Sequence, residues 1–284
     1  MGTAGSFVES GGYRLNCVVE GEGTPTLVIG SSVYYPRVFS SNLRKSLRLA
    51  FCDHRGFAMK VRERSAASID MSVLLKDVEL VREQLGWERF VLIGHSGHSN
   101  IALEYARRYP ERVTHLVLLN AGPNNGTANM EALERDWSEL VAPERQALWR
   151  ANVDRLPAAI EADPARRFVL FMLAMGPRSW YRYDFDAAHL WDGVPVNLEI
   201  VDHMWGVIFR DIDIAPALRE LRMPVYLGLG THDYLVPPAR TWEPLRSLVR
   251  DLTVRIFDRS GHAPMLEVPE LFDSDLLAWL RARR

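Results

Sequence analysis

The chain has 284 residues, 48% hydrophobic and 25% charged, which suits one large α/β domain or two small ones. A net charge of −2 excludes an overall field for nucleic acid or acidic lipid, and no apolar run approaches the roughly 18 residues of a membrane span. Met1 to Ser6 carry neither a basic nor an apolar leader pattern, so a soluble, cytoplasmic protein is expected. Cys17 and Cys52 sit in apolar runs and read as buried free thiols rather than a disulfide.

In chain order, residues 13–20 alternate as an early strand and 21–25 form a turn cluster. Residues 26–30 are a short apolar run ending in glycine, as in a buried parallel strand. A loop follows, then a helical stretch over 37–46 and a strand over 47–52. Residues 70–85 carry apolar side chains at helical spacing and stop at Gly86. A strand over 90–93 runs into Gly94-His95-Ser96-Gly97-His98, with a helix over 97–109 and a strand over 113–120 behind it. From 123 to 210 the pattern is helical throughout and contains five of the eight tryptophans: Trp137, Trp149, Trp180, Trp191 and Trp205. Alternation resumes with a strand over 223–230, a helix over 239–249, a strand over 253–257 and a last helix over 269–282. The expectation is an α/β fold, a mostly parallel, doubly wound sheet. Residues 1–122 and 211–284 form its core, and a helical cap, 123–210, is inserted over the sheet's carboxyl edge.

Ser96 stands at a sharp strand-to-helix turn, the setting that exposes a nucleophilic serine above a sheet edge. The N–H of Gly97, next in the chain, is a ready oxyanion donor. Asp233 and His262 stand in loops after later strands, and parallel strands bring such loops to one edge. Each type has a task. A hydroxyl needs a base, an imidazole takes and returns a proton near neutral pH, and a carboxylate orients the imidazole. The order Ser, Asp, His is that of the α/β-hydrolases.

On these residues the chain is identified as resembling the α/β-hydrolase superfamily along essentially its whole length, and within it the proline iminopeptidase-like (prolyl aminopeptidase) group. The residues in question are Asp53-His54-Arg55-Gly56, Gly94-His95-Ser96, Gly230 to Pro237 and Ser260 to Glu267. The resemblance implies an α/β-hydrolase fold and a second oxyanion N–H from the loop after the 26–30 strand, here that of Ser32. That loop reads Gly30-Ser31-Ser32-Val33 where the family has His-Gly, and His98 replaces the last glycine of G-x-S-x-G. It also implies acidic side chains to hold a substrate's free α-amine, for which Glu199 and Asp202 are the candidates. His95 is placed beside the pocket, and Tyr234 and Trp205 among its walls.

The first functional reading is therefore a serine hydrolase that releases an N-terminal aminoacyl group from a short peptide or small amide. The alternatives are a carboxylesterase or lactonase on a small apolar substrate, and a non-catalytic ligand-binding member of the fold. No cofactor, metal, nucleic-acid or membrane partner is expected, and the oligomeric state stays open.

Overall fold

The computed structural model describes residues 4–63 and 65–283. Their strands are β1 (Ala4–Ser10), β2 (Tyr13–Glu20), β3 (Thr24–Gly30), β4 (Leu47–Asp53), β5 (Met59–Lys60), β6 (Phe90–His95), β7 (Val113–Leu119), β8 (Val225–Gly230) and β9 (Leu252–Phe257). They form one sheet in the order β1-β2-β4-β3-β6-β7-β8-β9, with β5 paired to β2. β1–β2 and β2–β4 are antiparallel, and every pair from β4 to β9 is parallel.

The central strands are apolar because both faces are covered. Leu27, Ile29, Leu92, Leu116 and Leu118 point to one face, against Leu74 and Val78 of the helix Met71–Leu85 and Ile101 and Tyr105 of the helix His98–Arg108. The alternate residues Val28, Val91, Ile93 and Val117 point to the other, against Phe272, Leu276 and Trp279 of the helix Pro269–Arg281. This is the doubly wound arrangement, in which period-two alternation feeds two cores at once.

Between β7 and β8 the described residues are helical, with no strand. The helices Thr127–Leu140, Pro143–Ala162 and Arg167–Ala174 are followed by shorter turns and by Leu198–His203. The last continues into a π-helical turn, Met204–Ile208. No helix among the described residues is long and apolar enough to cross a membrane.

Four expectations change. The chain begins its sheet earlier than residue 13, with β1. The 37–46 stretch is broken into Tyr35–Val38 and a 3₁₀ turn, Leu43–Lys45. Ala239–Leu248 is 3₁₀ rather than α; Pro244 within it has no N–H to give to an i−4 carbonyl. Cys17 and Cys52 are direct partners across β2 and β4 and are joined as a disulfide, not left as free thiols. Apolar surroundings predict burial, but they carry no information on which residues of two strands fall opposite each other.

Candidate active site

The site is assembled at the carboxyl ends of four neighbouring parallel strands. Ser96 follows β6 directly and has φ of 55°, in the left-handed region that a side chain ordinarily avoids. Its N–H donates to the Leu119 carbonyl at 2.8 Å, so the strained turn is held by the adjacent strand. Close packing under the turn explains Gly94: a Cβ there would lie 2.7 Å from Cα of Ser99. His262, beyond β9, bonds through Nδ1 to Oδ2 of Asp233, beyond β8, at 2.8 Å. Both are more than nine-tenths buried. The other Asp233 oxygen accepts the Leu235 N–H at 3.0 Å.

Asn120, at the end of β7, is a member of this group that the sequence reading missed. It too has left-handed φ, 47°. Its Nδ2 donates to Asp233 Oδ2 at 2.7 Å and to the Gly261 carbonyl at 2.9 Å, tying the Asp233 loop to the His262 loop. The available signal is a lone Asn closing the apolar run Leu116-Val117-Leu118-Leu119.

The helical segment braces the same two loops. The carbonyls of Arg178 and Ser179 accept the N–H groups of Tyr234 at 2.9 Å and His262 at 2.5 Å. Buried Arg145 donates to the carbonyls of Pro177 at 2.6 Å, Trp180 at 2.7 Å and His232 at 3.3 Å, and its guanidinium sits 4.9 Å from the Tyr234 ring centre.

Ser96, Gly97 and His262 open into a cavity of about 580 Å³. Its walls are mostly apolar and aromatic, among them Phe57, Phe168, Phe171, Met172, Trp191, Phe209 and Leu235. The tryptophans of the helical segment divide in role. Trp191 and Trp205 line the cavity, whereas Trp137 and Trp149 pack edge-to-face with each other and each lies against the Arg178 guanidinium. Trp205, on the π turn, lies over Gly97; a Cβ at Gly97 would be 3.0 Å from the indole.

The remaining expected site residues separate clearly. His95, Trp205 and Asp202 line the cavity. Asp202 is paired with Arg167 through both of its oxygens and is half exposed. Glu199 does not line the cavity: it is exposed and accepts the Ala66 N–H at 3.2 Å. Tyr234 does not line it either, its ring being packed on Trp137 and Arg145. Ser32 is a correction of another kind. Its N–H donates at 2.6 Å to Oδ1 of Asp53, a carboxyl pushed up to about 6 by burial, and Ser32 is not among the cavity residues. An N–H already given to a buried carboxylate is not available to an oxyanion. The Ser31 hydroxyl accepts the Val33 and Tyr34 N–H groups, so it serves the turn.

Three further histidines stand behind the serine. His54, His95 and His98 are buried and bonded into a line with Tyr35. Burial pushes His54 and His95 down to about 3 and His98 well below its usual value, so all three are neutral.

Chemically, a half-buried serine that opens into the same largely apolar cavity as an imidazole held by a carboxylate is an arrangement that acyl transfer can use. Comparison with known proteins agrees on the scaffold. The sequence model of the family described as "alpha/beta hydrolase fold" matches residues 21–269. The chain is 43% identical over 271 residues to the AB hydrolase superfamily protein YclE of Bacillus subtilis (strain 168), covering 95% of this chain and 96% of that one. Among solved structures it is similar to VinJ, with a TM-score of 0.76, 20% identity and 99% of each chain covered. It is also similar to the proline iminopeptidase of Mycobacterium smegmatis, with a TM-score of 0.73, 19% identity and 99% and 98% covered. A mostly parallel sheet with flanking helices and a family match over most of its length have one reading: the chain belongs to the alpha/beta hydrolase fold family.

Proposed function

We propose that the protein is a serine hydrolase that cleaves an uncharged ester with an apolar acyl or alcohol part. Ser96 Oγ attacks the carbonyl carbon while His262 takes its proton, and Asp233 holds the imidazole and stabilises its charged form. The Gly97 N–H donates to the developing oxyanion. The C–O bond then breaks, the leaving alkoxide takes the proton from His262, and water activated by the same imidazole releases the acyl group from Ser96. Residues 123–210 act in this reading as a cap that supplies the aromatic wall of the substrate cavity.

The observation that carries the ester reading is the cavity's charge. Among the described residues that line it, Asp202 is the one carboxylate, and Arg167 neutralises it. A prolyl aminopeptidase must pair a desolvated ammonium, which needs a carboxylate free to receive it. Glu199 and Asp202 do not meet that need, and likeness to a proline iminopeptidase structure at 19% identity supports the fold alone.

The test is side-by-side turnover of a p-nitrophenyl ester and a prolyl or alanyl arylamide, with Ser96→Ala as control and fluorophosphonate labelling of the intact protein. Ester turnover lost in Ser96→Ala, with little arylamide release, is expected. Arylamide release that depends on Ser96 would restore the aminopeptidase reading. A folded protein that neither turns over nor labels would be a binding member of the fold.

A further inference from the structure

The line of buried groups behind Ser96 has one possible direction. It starts at a group that only donates: the Gly56 N–H gives to Nδ1 of His54 at 2.9 Å. His54, being neutral, then carries its hydrogen on Nε2 and gives it to Nε2 of His98 at 2.9 Å. His98 carries its own on Nδ1, which meets the Tyr35 hydroxyl at 3.0 Å. Tyr35 gives its hydrogen to Nδ1 of His95, also at 3.0 Å. His95 is left with Nε2–H, which ends on a group that only accepts, the main-chain carbonyl of His262, at 2.7 Å. Five links need five hydrogens, and five neutral groups supply one each. An extra proton on His54 or His98 would set two donors face to face, and one on His95 would turn the Tyr35 hydrogen out of the line.

We propose that His54, His98, Tyr35 and His95 form a one-way positioning relay that fixes the backbone of His262 relative to Ser96. His95 is the joint: its ring lies 4.7 Å from that of His262, and it is bonded in sequence to the serine. The relay also makes one feature of the two departures in the sequence. His98 brings the middle imidazole, and Gly30 makes room for it. Gly30 has φ of 149°, and a Cβ there would overlap the Tyr35 ring and come within 3.2 Å of His98 Nδ1. These four side chains act through His262 and are positioning residues for the reaction proposed above, on which their effect on turnover rests.

The experiment reads hydrogens first and activity second. Long-range ¹H–¹⁵N spectra of the intact protein labelled in histidine are expected to show Nε2–H forms for His54 and His95 and the Nδ1–H form for His98 at neutral pH. Any of the three in the other tautomer, or charged, overturns the relay. In Tyr35→Phe, His95 is expected to lose its single tautomer and the His262 Nδ1–H resonance to move. In the same variant kcat should fall about tenfold with KM within about twofold. An unmoved His262 resonance in the folded variant overturns the positioning role. If Tyr35→Phe does not fold, His95→Gln against His95→Leu decides. Gln keeps a donor for the His262 carbonyl and is expected to retain the resonance that Leu loses; equal loss in both overturns the proposal. Neither spectrum depends on a substrate. Absent ester turnover with the expected tautomers therefore defeats the functional reading and leaves the relay standing.

Discussion

Asn120 shows what a single side chain does when three loops converge. Its amide bonds Asp233 and the carbonyl beside His262 at once, and its left-handed backbone turns the chain out of β7 at the needed point. Asn is among the few side chains that enter that region cheaply. Removing the amide leaves one Asp233 oxygen to the imidazole alone and loosens the Gly261 carbonyl. In Asn120→Ala, kcat for the ester is expected to fall about tenfold with KM within about twofold, measured by steady-state kinetics. Asp202 illustrates the opposite case. Its pairing with Arg167 is largely exposed, so it supplies little stability and no free charge to the cavity.

At the scale of elements, the turn out of β3 and the turn out of β6 are built as one piece. Gly30, the last residue of β3, opens the first, His98 begins the helix after the second, and the Tyr35 ring lies between them. In Gly30→Ala the methyl must displace that ring and the backbone must leave φ of 149°, at a cost of about 3 kcal/mol or more, read as a lowered midpoint of urea unfolding. The strands on either side were legible in the sequence because burial on both faces leaves short apolar runs bounded by glycine and polar residues. The absence of strands between β7 and β8 among the described residues was legible because nothing in that stretch alternates with period two. The placement of Ser96, Asp233 and His262 beyond strand ends was legible because each follows such a run. Asn120 has no partner in sequence and acquires its role only when β7 lies between β6 and β8. The direction of an N–H in a loop is equally invisible: Ser32 occupies the expected position, yet its N–H faces Asp53. Glu199 shows the same limit on the helix Leu198–His203, since helical spacing does not say which face meets the cavity, and Tyr234 shows it in the loop after β8.

For the molecule as a whole, the buried imidazoles set the response to acid. His54 and His95, at about 3, and His98, also lowered, stay neutral in the fold while the unfolded chain protonates them near pH 6.5. The unfolded state thus binds more protons, and the stability present above about pH 6.5 is lost as pH falls toward 3. Burial of Asp53, at about 6, and of Glu267 and Asp273, also raised, acts in the opposite sense. Their folded forms hold protons that the unfolded chain has already released. A single substitution isolates the first contribution. Between pH 7 and pH 5, His54→Asn is expected to lose about 2 kcal/mol less stability than the wild type, by urea unfolding at each pH, whatever its stability at pH 7. The carbonyls of Arg178 and Ser179 have a consequence for motion. The N–H groups of Tyr234 and His262 end on them, and Arg145 fastens the same stretch to the loop of Asp233. Swinging this stretch away as a rigid lid would strip the His262 N–H of its backbone partner. In the reaction proposed above, substrate entry by way of side chains at the rim of the cavity would leave these bonds intact.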